Sequence, residues 1–156
     1  MDNRHAVTGF VVWFLVTFAA AGVGSLFAPG EWYGQLAKPS WTPPDWVFGP
    51  VWTALYACMA VSAWLIWKRG GFANAFIPLT FFLVQLILNA VWSWFFFGLK
   101  SPGLAFGEIV VLWLAVLLTV IAFWKENVVA GILLIPYLGW GTFALALNFS
   151  IWRMNI

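Results

Sequence analysis

The side chains best able to do chemistry in this sequence are aromatic rings and carboxamides that recur at helical spacing. Phe48, Trp52 and Tyr56 lie four residues apart, which places their rings on one face of a helix. Gln85 and Asn89 have the same spacing in a later apolar stretch. No paired nucleophile and base accompanies them, so the sequence offers no candidates for covalent or acid–base catalysis.

Each of these sets has two interpretations. Tryptophan gathers at the headgroup level of membranes, but Trp52 stands about two turns into its predicted helix beside Pro50, where an indole can instead line a cavity. Gln85 and Asn89 are either interhelical hydrogen-bonding groups or donors in a ligand site. Because interhelical amides are frequent, the spacing alone favours the first interpretation.

The composition requires a membrane environment for these residues. Hydrophobic residues make up 64% of the chain and charged residues only 8%, against roughly 25% charged residues in a soluble domain. The sequence therefore predicts one all-α integral membrane domain over residues 1–156. We expect a five transmembrane helix bundle with helices at about residues 6–28, 44–67, 74–98, 103–124 and 128–152. The longest connection, residues 29–42, can fold over one end of the bundle.

The first apolar stretch also has features of a secretory signal peptide, but it continues to Ala28, beyond the usual length of such a signal. We therefore expect a membrane helix there. The orientation of the bundle stays open, because the basic residues divide four to three between its two ends. They are Arg4, Lys68, Arg69 and Lys125 at one end, and Lys38, Lys100 and Arg153 at the other.

Prolines mark the start of the second predicted helix. Thr42 to Asp45 has the form of a capping box, which would make Thr42 the N-cap and Pro43 the first helical residue. Pro50 lies a turn further in and leaves the carbonyl of Trp46 without its helical donor. We therefore expect a kink at Pro50, packed against protein.

Small and polar side chains mark two other helices. The last predicted helix has a face or face edge formed by Tyr137, Trp140, Ala144 and Asn148. The first has small residues that we expect to serve only close helix packing, namely Ala20, Ala21, Gly24 and Ser25.

Other chemistries have little support. His5 is the only histidine and Cys58 the only cysteine, so neither a metal cluster nor an internal disulfide is predicted. Glu108 is the one acid well inside a predicted helix, and we expect it to reach the interface or cap the helix end. No run of basic residues indicates a nucleic-acid partner.

Three stretches resemble a known family. They are KPSWTPPDWVFGPVWTALY, NAVWSWFFFG and PYLGWGTFALALNFSIW. Together they are similar to the translocator protein family, also called the tryptophan-rich sensory protein or peripheral benzodiazepine receptor family, over nearly the whole chain. The resemblance implies a membrane homodimer with a pocket between the helices, closed by the first long loop. The pocket positions it implies are Tyr33, Pro43, Phe48, Trp52, Asn89, Trp92, Trp140 and Ala144.

The resemblance implies partners as well. Porphyrin or haem is expected as a ligand rather than as a required cofactor, together with isoquinoline-carboxamide-type molecules and membrane lipid. The family's sterol-binding motif at the end of the last helix is incomplete here, because Phe149 occupies its tyrosine position. Sterol binding is therefore not predicted. The function expected is a tetrapyrrole-binding sensor or carrier. The alternatives are a light- and oxygen-dependent porphyrin-degrading enzyme that uses Trp52 and Trp140 as catalytic residues, and a structural scaffold.

Overall fold

The computed structural model describes residues 3–156, with side chains from His5 onward, so the side chain of Arg4 in the charge comparison lies outside the described part. Five long helices in it have the length and apolar composition to cross a membrane. They are α1 (Asn3–Ser25), α3 (Asp45–Trp67), α4 (Gly71–Ser93), α5 (Pro102–Glu126) and α6 (Val128–Met154). A short helix, α2 (Glu31–Gln35), lies in the first connection, and a π-helical turn (Trp94–Gly98) prolongs α4. The prediction of a multi-pass α-helical membrane protein is confirmed.

The five long helices form a closed ring. Around it, α1 packs against α3, α3 against α6, α6 against α5, α5 against α4, and α4 against α1. Helices α3 and α4 also touch across the ring. Met59, Phe82 and Phe123 are fully buried in the centre, whereas Leu15 and Ile87 remain exposed on the outer surface. An apolar outer surface of this kind suits contact with lipid.

Two helix ends differ from the prediction, and both lie close to a proline. The prediction of a capping box is wrong, because α3 begins at Asp45 and its N-cap is Pro44. The hydroxyl of Thr42 donates to the Pro39 carbonyl at 2.8 Å instead of capping the helix. Thr42 and Pro43 each precede a proline, which disfavours helical backbone at both. Helix α1 ends at Ser25 rather than at residue 28, and Ala28 likewise precedes a proline.

The main backbone irregularity lies in α4 rather than at Pro50. Helix α3 continues across Pro50 to Trp67. In α4, Ala75 has φ −134° and ψ 38°, three residues before Pro78. Pro78 has no N–H to donate to the Asn74 carbonyl, which is a sufficient cause for a local break in the helix.

The end of the bundle that holds the α3–α4 turn is tightly cross-linked by polar contacts. The Arg69 guanidinium donates to the Glu126 carbonyl and lies 3.7 Å from its carboxylate. The indole N–H of Trp64 donates to the Ala6 carbonyl at 2.8 Å. Asn127 caps α6 by accepting from the amides of Val129 and Ala130. Short connections and these bonds tie the helices together at this end.

Candidate ligand-binding site

A cavity of about 570 Å³ opens at the other end of the bundle. It lies between α1, α3 and α4, and the connection between α1 and α3 covers it. Aromatic and small side chains form most of the wall: Phe18, Ala21, Gly22, Gly24, Phe27, Ala28, Pro29, Phe48, Gly49, Trp52, Trp92 and Phe97. The polar part of the wall consists of Ser25, Tyr33, Asp45, Thr53, Tyr56, Asn89 and Ser93. A volume in the range of roughly 300–1,000 Å³ with few polar groups is typical of a small-molecule site.

Five of the eight residues predicted for the pocket line this one cavity. They are Tyr33, Phe48, Trp52, Asn89 and Trp92. Ala144 lies beside it, at a small void of about 30 Å³ that Trp52, Asn89 and Trp92 also border. Trp140 and Pro43 line neither space. The indole of Trp140 packs edge-on against Phe48, with ring centroids 5.8 Å apart.

A hydrogen-bond chain crosses three helices behind the aromatic wall. The Tyr56 hydroxyl donates to Asn89 Oδ1 at 2.6 Å, Asn89 Nδ2 donates to the Tyr137 hydroxyl at 2.9 Å, and that hydroxyl donates to Gln85 Oε1 at 2.9 Å. Both amides therefore join helices, as their spacing favoured. Asn89 nevertheless keeps one N–H and one oxygen lone pair beyond these bonds, so it can still bind a molecule in the cavity.

Trp92 is held in place by a second polar link. Its indole N–H donates to Asn148 Oδ1 at 3.0 Å, and Asn148 Nδ2 donates to the Pro102 carbonyl at 2.8 Å. Its ring lies 5.3 Å from that of Phe96. Because the N–H is engaged, Trp92 presents its apolar ring rather than a donor to the cavity.

Tyr33 is the buried side chain of the loop that covers the cavity. Its ring packs edge-on against Phe96 and Phe97, at centroid distances of 6.1 and 5.5 Å, and the Lys38 ammonium lies 4.4 Å from its centroid. Burial, and next the Asp45 carboxylate, raise the pKa of the Tyr33 phenol. A neutral hydroxyl with a basic and an acidic neighbour therefore lies at the mouth of the site.

The TspO/MBR family matches residues 11–153 of this sequence. The chain belongs to this family. Protein CrtK of Rhodobacter capsulatus is 40% identical over 154 residues, which cover 96% of this chain and 94% of that protein. The translocator protein of Homo sapiens is 43% identical, with coverages of 85% and 82%. The tryptophan-rich sensory protein of Cereibacter sphaeroides is 41% identical, with coverages of 91% and 90%. The resemblance found in the sequence is thereby confirmed.

In this TspO/MBR protein, the position of Glu108 differs from the prediction. The prediction that it reaches the interface or caps a helix is wrong, because the residue is 9% exposed and both carboxylate oxygens are buried without a hydrogen-bond partner. It lies on the face of α5 that also carries Ala105, Ile109 and Leu112, and that face packs into the bundle. Within residues 3–156, no group of three or more His, Cys, Asp and Glu side chains could hold a metal ion.

Sequence reasoning missed the contribution of α1 and of Asp45 to this TspO/MBR cavity. Ala21, Gly24 and Ser25 were expected to serve packing alone, yet all three line the cavity. Gly24 does both, since a Cβ at its position would meet Ser93 Oγ at 3.4 Å. The available signal was the concentration of small residues at the end of α1 that adjoins the long loop.

Proposed function

We propose that this TspO/MBR membrane protein binds a tetrapyrrole such as protoporphyrin IX or haem in the cavity beneath the loop and acts as a sensor or carrier. The observation that carries the proposal is the composition of the cavity wall: Phe48, Trp52 and Trp92 face one space together with Asn89 and Tyr33. Flat π systems stack favourably on such rings. Relatives named translocator protein and tryptophan-rich sensory protein support a carrying or sensing role.

The aromatic and polar parts of the cavity wall suit the macrocycle and the carboxylates of a porphyrin. The macrocycle is flat and apolar and fits the aromatic interior. Its carboxylates need donors or cations. The mouth of the cavity supplies the Tyr33 hydroxyl, and the Lys38 ammonium over the Tyr33 ring adds a positive charge nearby. The spare N–H of Asn89 is a further donor for a polar edge of the ligand.

Titration of the purified protein with protoporphyrin IX tests the proposal. We expect saturable quenching of tryptophan fluorescence, and a loss of about 0.5–2 kcal/mol of binding free energy in Asn89→Ala and in Tyr33→Phe, the range for one hydrogen bond. Ile132→Ala, on the exposed outer surface of α6, is the control and should bind as the parent does. Unchanged binding in both cavity variants would show that the site is misplaced, and no saturable binding at all would favour the scaffold alternative.

Homodimer formation and the binding of isoquinoline carboxamides remain predictions from the family resemblance. Light-dependent porphyrin degradation is also a prediction, and the structure distinguishes its two indoles. Trp52 lines the cavity, whereas Trp140 touches its wall through Phe48.

A further inference from the structure

The loop over the cavity is tied to the opposite end of the sequence by one side chain. Asn155 follows the last turn of α6, and its amide forms a two-way pair with the backbone of Ala37. The Ala37 N–H donates to Asn155 Oδ1 at 3.0 Å, and Asn155 Nδ2 donates to the Ala37 carbonyl at 2.9 Å. The side chain thus pairs with both backbone groups of one loop residue.

The same amide is also fixed to its own helix. Asn155 Nδ2 donates to the Ile151 carbonyl at 2.7 Å. Both N–H groups of the carboxamide are therefore used, one on the helix and one on the loop. Because Ile151 is 1% exposed, the amide is held against a rigid part of the bundle rather than on a free terminus.

The paired loop residue is close to the part of the loop that closes the cavity. Ala37 lies four residues after Tyr33, and the intervening backbone is tightened by the bond from the Leu36 amide to the Tyr33 carbonyl at 3.4 Å. Tyr33 is 8% exposed and lines the cavity. Movement of the loop away from the bundle would have to break the Asn155 pair before it could withdraw Tyr33.

We propose that Asn155 is the latch of the loop and controls how fast molecules enter and leave the cavity. The inference rests on the proposed function, because it assumes that molecules occupy the cavity. The latch itself consists of bonds between the loop and Asn155 and needs no ligand. The bonds lie at the exposed surface, where the net contribution of each is small. A latch of that strength holds the loop closed most of the time and still lets it open without unfolding the bundle.

Thiol labelling measures loop opening without any ligand. The background is Cys58→Ala with Ser93→Cys, which places the only thiol on the cavity wall. The rate of modification by a water-soluble methanethiosulfonate reagent then reports the open fraction. Asn155→Ala removes both bonds to the loop, together with the bond to the Ile151 carbonyl within α6. It should raise the rate about threefold to tenfold, as expected for the loss of two loop hydrogen bonds of modest net strength.

Two further variants each remove one of the two bonds between Asn155 and Ala37, and they grade the effect. Asn155→Asp keeps the acceptor for the Ala37 amide and loses the donor to the Ala37 and Ile151 carbonyls. Ala37→Pro removes only the loop N–H. Leu36, with ψ 139°, already has the extended backbone that a following proline requires. Each should raise the labelling rate by a smaller factor than Asn155→Ala does.

Ser150→Ala is the matched control, since its hydroxyl bonds only to the Ala146 carbonyl of the same helix. Its labelling rate should equal that of the background. A parental rate in Asn155→Ala would overturn the latch, and so would an equal increase in Ser150→Ala, which would indicate general fraying of α6.

Porphyrin kinetics separate the latch from the ligand proposal. In an otherwise unmodified chain, Asn155→Ala should raise the association and dissociation rates of protoporphyrin IX by a similar factor and leave Kd nearly unchanged. Faster labelling without any porphyrin binding would uphold the latch and refute the proposed function. Parental labelling with parental porphyrin kinetics would refute the latch and leave the proposed function standing.

Discussion

The two ends of the bundle enclose spaces of similar size and very different chemistry. The cavity under the loop measures about 570 Å³, and a groove between α1 and α4 at the opposite end measures about 530 Å³. The cavity wall includes Tyr33, Asp45 and Asn89. The groove has only His5 and Thr8 among polar side chains, beside apolar and glycine residues. Volume alone therefore does not define a ligand site, because specific recognition needs polar groups within the apolar wall.

The connections explain the difference. At the groove end, α3 and α4 are joined by a tight turn in which Gly70 and Gly71 have φ of 124° and 64°, values that favour glycine. That turn has no residues to spare for a cover. At the cavity end, the long loop supplies a helix, a buried tyrosine and a paired backbone segment. A covered, partly polar space can form only where the chain has length to form the cover.

The strongest test of this comparison is to fill each space with one side chain. Ala21→Trp projects an indole into the cavity, and we expect at least a hundredfold weaker binding of protoporphyrin IX because the ligand and the ring would occupy the same volume. Val12→Trp adds the same ring to the groove and should leave binding unchanged. Fluorescence titration of the two variants shows which end of the bundle binds the porphyrin. Weaker binding in Val12→Trp alone would place the ligand site in the groove.

A second test concerns the indoles near the cavity. If illumination with protoporphyrin IX yields a degradation product, Trp52→Phe should lower turnover about tenfold or more while changing affinity little, because phenylalanine keeps a stacking ring but is harder to oxidise. Trp140→Phe should have the smaller effect, since that indole does not line the cavity and contacts only Phe48 of its wall. Product absorbance at saturating ligand measures the turnover of both variants. Equal losses of turnover would show that direct contact with the cavity does not decide which indole takes part in the reaction.

The smallest effects concern stability, and they compare satisfied with unsatisfied buried polar groups inside the bundle. Tyr137→Phe removes a hydroxyl that bonds to both Asn89 and Gln85, and should lower the free energy of unfolding by about 1–3 kcal/mol. Glu108→Leu removes a carboxyl without a partner and should leave stability unchanged or raise it by up to about the same amount. Thermal unfolding in detergent micelles measures both changes. A loss of stability in Glu108→Leu would mean that the carboxyl has a bonding partner after all.

Helical periodicity explains how much of the site was accessible from the sequence. Apolar length predicted five membrane helices, and the four-residue spacing of Phe48, Trp52 and Tyr56 predicted a shared face, which lines the cavity. The motifs predicted the family. These features depend on neighbours along the chain, so local geometry is enough to determine them.

The remaining features depend on contacts between distant segments. A helical face does not specify which helix it meets, so only the tertiary structure shows that Trp140 stands behind Phe48, that α1 forms part of the cavity wall, and that Glu108 is buried. The pair between Ala37 and Asn155 joins residues 118 apart in the sequence, and no local pattern predicts it. The sequence by itself determined the membrane helices, their aromatic faces and the family. The packing of the ring decided which side chains share a cavity, because it brings together groups that the chain keeps far apart.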